Sequence, residues 1–207
     1  MNRKSDVAVM WKEAGILFAI TLLSGILLGF VYELTKEPIR VQQEKAVQEA
    51  CAAVFPGEQN SEFRELVLSA ELEGLELPQG VELGSVYEAL DSDGQFLGYV
   101  VEAASTQGYG GDIVLYVGVA VDGTVGGVSI LDISETAGLG MEAPKVLAPQ
   151  FAGKRVEQFS YTKTGSRTDS EVDAISAATI TTKAVVSAVN GALKAAQTLL
   201  QGGGVHE

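Results

Sequence analysis

Near the C-terminal end, the stretch Asp173-Ala174-Ile175-Ser176-Ala177-Ala178-Thr179 sets a carboxylate and two hydroxyls among small residues. A polar segment rich in Thr, Ser, Arg and Lys, from Tyr161 to Glu171, precedes it, and a long helical pattern follows. The stretch therefore reads as a loop that becomes a helix. Ser176 has the chemistry of an N-cap, since its hydroxyl can accept a bond from a free N–H of the first turn. Thr179 then falls in that turn, beside unpaired N–H groups and the positive end of the helix dipole, a place that favours a phosphate. A capped helix with no ligand meets the same description, so these residues alone leave both readings open.

Two glycine-rich segments accompany it. Gly108-Tyr109-Gly110-Gly111 reads either as a flexible loop with a packed Tyr or as a loop whose backbone approaches a ligand. Glu135-Thr136-Ala137-Gly138-Leu139-Gly140 follows a strand pattern. Gly-x-Gly in that position is a weak nucleotide signal, because the third glycine and the βαβ context of a dinucleotide fold are missing. Lys183, one turn beyond Thr179, could neutralise a phosphate or simply be solvated. No catalytic triad and no acid/base pair of carboxylates is apparent, so no catalytic residue is expected. No metal site is expected either: the only histidine is His206 in a Gly-rich tail, and the only cysteine is Cys51. Cys51 sits in a helical pattern and reads as a small packed residue.

These segments must be positioned by the rest of the 207 residues, enough for one anchor and one domain of ordinary size. The net charge of −13 argues against a nucleic-acid partner, because phosphate contacts need Lys and Arg, and suits a soluble head. From Ala14 to Tyr32 the chain runs without a charge; about nineteen residues at ~1.5 Å each give roughly 28 Å, close to a bilayer's hydrocarbon core. Trp11 and Tyr32 are placed like interface anchors. A cleaved signal peptide is the rival reading, but no small-x-small site follows the apolar core. Gly25 and Gly29 form a Gly-x-x-x-Gly that could pack against another membrane helix. The positive-inside rule has no clear charge bias to use here.

The expected order is an N-terminal tail (1–13), a transmembrane anchor (14–34), a stalk helix (35–57), a head domain (58–200) and a disordered tail (201–207). Pro38 suits the first turn of a helix over Glu37–Phe55, with Val47, Ala50, Cys51 and Val54 on one face and Pro56-Gly57 beyond its end. Ser61 to Gly84 is acidic and poorly periodic; a short helix is expected there. Val86–Leu90, Phe96–Ala104, Ile113–Val121 and Val125–Leu131 alternate as strands, with turns at Asp91-Ser92-Asp93-Gly94 and Asp122-Gly123, giving two antiparallel hairpins. A short helix over Pro144–Phe151 and a final one over Thr181–Leu200 follow. The fold class is α+β: an N-terminal transmembrane helix and stalk helix, then an antiparallel sheet covered by helices, with the flanking helices expected on one face.

The Asp173–Thr179 stretch resembles the Asp-x-x-Ser/Thr-Gly/Ala-Ala-Thr signature at which a flavin transferase attaches FMN. The chain as a whole resembles the RnfG subunits of the Rnf electron-transport complexes and, more distantly, the NqrC subunits of the sodium-translocating NADH:quinone reductases. The resemblance covers anchor, stalk, sheet, glycine loop and attachment motif. Relatives usually carry Gly where Ala177 stands and Pro where Ala137 stands. The resemblance implies covalent FMN on Thr179 through a phosphoester, recognition of Asp173 by the transferase, and a cofactor-binding set of Ser176, Ala177, Ala178, Thr136, Gly138, Leu139, Gly140, Tyr109, Gly110 and Lys183. It further implies an electron-transfer subunit of an ion-translocating ferredoxin/NAD oxidoreductase, with no complete activity alone. Other membrane subunits, lipid and, during maturation, the transferase would be its partners. The head would lie on the extracytoplasmic side of the cell membrane. Covalent attachment suits that side, where free FMN is too scarce to keep a site filled by mass action. The alternatives are the NqrC subunit of the reductase and a membrane-anchored binding module without flavin.

Overall fold

A computed structural model describes residues 3–55, 62–66, 72 and 74–202. Pro56-Gly57 and the tail from residue 203 lie outside them. The chain divides into two compact units, Met1–Lys45 and Ala46–Glu207.

In the first unit lies most of helix α1 (Arg3–Val54). The anchor and stalk expected as separate helices are one continuous helix, and Pro38 stands in its interior rather than in a first turn. A proline there removes one backbone hydrogen bond and crowds the preceding turn, so the helix is locally weakened without being ended. Within it Trp11–Glu37 is long and apolar enough to cross a membrane, and its side chains are exposed.

The second unit is built on a five-stranded antiparallel meander in the order β1 (Glu62–Leu66), β2 (Val81–Leu90), β3 (Phe96–Ser105), β4 (Ile113–Ala120) and β5 (Val125–Ile133). The expected hairpins are β2–β3 and β4–β5, and β3 pairs β4 from Gly98↔Ala120 to Ser105↔Ile113. Both turns are closed by aspartates: the Asp91 carboxylate accepts from the Asp93 and Gln95 N–H groups, and that of Asp122 from Thr124 N–H. Where a short helix and a variable connection are expected between Ser61 and Gly84, the described residues form strands and turns instead. Strand β1 lies there, and β2 begins five residues early. Neither segment alternates cleanly, because β1 is an exposed edge strand and β2 carries a bulge between Leu83 and Val86.

The helices do not share a face of the sheet. Helix α3 (Thr179–Gln201) covers one, burying Val185, Val189, Ala192, Leu193 and Ala196 against Tyr99, Val101, Leu115 and Val117. The end of α1 covers the other, with Ala50, Cys51, Val54 and Phe55 over Ala89, Val100 and Tyr116. The run Tyr99-Val100-Val101 is buried on both faces, a pattern that needs cover on each side. Gly118, Gly126 and Gly127 make room for Val54; a Cβ on Gly126 would lie 2.3 Å from its carbonyl oxygen. Short helical turns between Gly140 and Gln150 include α2 (Ala143–Val146). They precede a two-stranded parallel pair, β6 (Ser160–Thr162) and β7 (Glu171–Asp173), which three-residue strands left illegible in the sequence.

Candidate functional site

Helix α3 begins at Thr179, and its cap position belongs to Ala178, which makes no side-chain cap bond. Ser176 is therefore not the N-cap; it is exposed on the turn before. That turn is closed by Ala178 N–H donating to Ile175 O (3.0 Å), with Ala177 at φ 61°. Ala177 is the one non-glycine residue with positive φ among the described residues, which gives a physical reason for glycine at this position. The turn before the helix is braced instead from inside the helix by Thr182. Its buried hydroxyl accepts from Ile175 N–H (3.1 Å) and donates to Ala178 O (2.9 Å).

Three threonines crowd the first turn, and their hydroxyls differ. Those of Thr181 and Thr182 are buried and bonded, Thr181 donating to Glu135 Oε2 at 2.9 Å. Thr179 is half-buried, and its hydroxyl has no partner among the described residues. The N–H groups of Thr179, Ile180 and Thr181 precede the first intrahelical bond, which Thr182 makes to Ala178, and so are free to meet an anion.

Thr179 opens into a cavity of ≈ 470 Å³. The cavity gathers Ala177, Ala178 and Thr179 from the helix start, Thr136, Leu139 and Gly140 from one glycine loop and Tyr109 from the other. Glu135, Ile180 and Thr181, which the sequence reading did not include, line it as well. The spacing Thr179–Thr181 in a helix start and the acidic first residue of the Glu135–Gly140 motif were the signals available for two of them. Five expected residues do not line the cavity. Gly110 stands behind it, where a Cβ would lie 2.0 Å from Ser134 O. Gly138 turns the loop at φ 74°, in a Thr136–Leu139 turn closed by a 3.1 Å bond, and Ala137 occupies the preceding position that proline favours. Ser176 and Lys183 are exposed and do not line the cavity. Asp173 braces the 163–170 loop by accepting from Ser166 N–H at 2.6 Å, and its backbone is held by Gln150. A larger cleft of ≈ 950 Å³ near the other end of α3, beside Arg155, Lys194 and Gln197, contains none of the motif residues.

The Glu135 carboxylate ties the cavity walls together: Oε1 accepts from Tyr109 N–H (2.7 Å) and Gly110 N–H (3.3 Å), Oε2 from Thr181. Apolar surface at Tyr109, Leu139 and Ile180 is left exposed around it. Apolar walls, a hydroxyl with no partner and a cluster of free N–H groups suit a planar ring system that carries a phosphate, in a volume within the usual range for small-molecule sites.

Residues 108–194 match the FMN-binding domain family, and residues 1–54 match the RnfG N-terminal region. The chain is 32% identical to the G subunit of the Na(+)-translocating ferredoxin:NAD(+) oxidoreductase complex of Acetobacterium woodii, covering 96% of this chain and 99% of that one. It is 32% identical to the G subunit of the proton-translocating ferredoxin:NAD(+) oxidoreductase complex of Clostridium ljungdahlii (92% and 97% covered) and to the G subunit of the ion-translocating oxidoreductase complex of Methanosarcina acetivorans (91% and 95%). The crystal structure of NqrC from Shewanella oneidensis shares the fold, with TM-score 0.50 and 18% identity over 72% of this chain and 85% of that one. By family match and by end-to-end similarity, the chain belongs to the RnfG family, the G subunits of Rnf-type, ion-translocating oxidoreductase complexes, and carries that family's FMN-binding domain.

Proposed function

We propose that this chain is a membrane-anchored electron carrier of a ferredoxin/NAD oxidoreductase complex, holding FMN covalently through a phosphoester to Thr179. The observation that carries the reading is the inequality of the three threonines: only Thr179 offers a hydroxyl that is both without a partner and open to the cavity. The free N–H groups of the first turn would hold the phosphate, and Tyr109, Leu139 and Ile180 would face the ring. Bound there, the flavin supplies one-electron and two-electron redox chemistry. The chain's own residues position it: Thr182 holds the loop that presents Thr179, and the glycine loops bring backbone close to the ring. Asp173, outside the cavity and exposed, is left to serve recognition by a flavin transferase during maturation. Thr136 and Gly140 complete the wall, whereas Ser176, Gly110, Gly138 and Lys183 act at most from outside it.

Trp11–Glu37 would span the cell membrane once, with the head on the extracytoplasmic side and other subunits of the complex and lipid around the span. The relatives' names divide between sodium and proton as the coupling ion, so family membership leaves the ion open. Residues 14–31 carry no ionisable side chain that could line an ion path, so translocation belongs to the other subunits. In-gel fluorescence of the denatured protein, expressed with a flavin transferase, tests the linkage. Wild type should fluoresce and Thr179→Val should be dark. A dark wild-type band, with the transferase active on another substrate, would sink the covalent reading; an equally bright variant would move the attachment to another residue.

A further inference from the structure

We infer that Glu135 is the positioning residue of the flavin cavity: its carboxylate clamps both glycine loops to the first turn of α3 and sets a fixed negative charge beside the ring. This rests on the reading of the cavity as the flavin site. Glu135 is half-buried, and its two oxygens accept three hydrogen bonds from two separate segments, Tyr109 and Gly110 on one side and Thr181 on the other. Charge-assisted bonds of this kind are stronger than neutral ones. The surroundings are shaped around the same side chain. A Cβ on Gly108 would come within 2.8 Å of Glu135 Oε1, and one on Gly140 within 2.7 Å of its Cβ and 2.6 Å of Thr181 Oγ1. Two glycines thus leave room for one carboxylate.

Among the described residues no Lys or Arg lines the cavity, so there the charge of Glu135 meets N–H and O–H dipoles. A group that gains electrons beside an uncompensated carboxylate gains them less readily, and the low polarity of a partly closed site strengthens the effect. Glu135 therefore both shapes the cavity and lowers the reduction potential of what binds there.

Two variants separate these roles. Glu135→Gln keeps an acceptor oxygen for the two loop N–H groups and an amide that can donate to the Thr181 hydroxyl, while removing the charge. Glu135→Ala removes the clamp. The full-length chain is made with a flavin transferase, and three quantities are measured: amide exchange at Tyr109 and Gly110, the initial rate of flavin incorporation, and the midpoint potential of the bound flavin. Glu135→Gln should keep slow exchange at both amides and titrate at a higher potential than wild type. Glu135→Ala should expose both amides and slow incorporation about tenfold, as loss of one preorganised charged contact does. Unchanged exchange and incorporation in Glu135→Ala would overturn the clamp. An unchanged potential in Glu135→Gln would overturn the charge role. A wild-type chain without flavin would overturn the flavin reading and the charge role with it, while amide exchange in Glu135→Ala, which needs no flavin, would still decide the clamp.

Discussion

At the scale of single residues, the start of α3 divides labour among hydroxyls of one type. Thr182 braces, Thr181 ties to Glu135, and Thr179 is left open to the cavity. Ala177 is the strained member of the loop. A left-handed conformation costs an alanine about 1–2 kcal/mol, and glycine removes that cost while adding unfolded-state entropy of about 0.5–1 kcal/mol. Ala177→Gly should therefore stabilise the protein by roughly 0.5–1 kcal/mol, read as a small rise in Tm, with flavin incorporation at Thr179 retained. A lower Tm would mean that the strain has been misjudged.

At the scale of elements, the closest fit lies between the end of α1 and the sheet. Val54 sits on a floor of Gly118, Gly126 and Gly127, where added side chains would meet its backbone or Cγ2 at 2.3 to 3.1 Å. Gly126→Ala puts a methyl against a backbone carbonyl that cannot rotate away. Overpacking of this kind costs about 1–3 kcal/mol. Denaturant unfolding of the full chain in detergent should show that loss, and the same substitution at Gly94, which has open space around it but positive φ, supplies a comparison governed by backbone strain alone. An unperturbed Gly126→Ala protein would show that the helix end does not dock here.

At the scale of the whole molecule, the head unit has two cores, and they respond to pH differently. The α3 core is apolar apart from the Tyr99 phenol, whereas the cluster under the end of α1 sets a thiol, Cys51, and the Tyr116 phenol close to Glu102. Burial, with the Glu102 carboxylate nearby, pushes the Cys51 thiol up from 9.0 to about 12 and raises the Tyr116 phenol from its ordinary value as well. The Tyr116 hydroxyl donates to Glu102 at 3.0 Å, a bond its ionisation would destroy. The folded state therefore holds these protons more tightly than the unfolded chain, so their contribution is complete below about pH 9 and is lost as pH rises toward 12. Unfolding free energy measured across that range should fall, and fall less steeply in Cys51→Ala. Identical slopes would remove Cys51 from the account. The same shift leaves little thiolate at neutral pH, so Cys51 should resist alkylation until the protein unfolds.

Most of what identifies the chain was legible without coordinates, because it depends on local pattern. The uncharged run after Glu13, the Ala-rich stripe from Val185 to Ala196 and the Asp-Gly turns report helix and strand by composition and period alone. The Asp173–Thr179 stretch marks the loop before α3 by residue type. What tertiary structure decided is who fills which place. Ser176 has the right chemistry for a cap, yet the cap position falls two residues later, at Ala178, and a buried Thr182 hydroxyl braces the turn before it. Pro38 suits a helix start, yet the helix passes through it. Glu135 looks like any acidic residue after a strand until residues 25 to 46 positions away donate to it. Periodicity and propensity act over a few residues and are written along the chain. A three-way carboxylate bridge and a glycine slot depend on distances between segments that the chain brings together only when it folds.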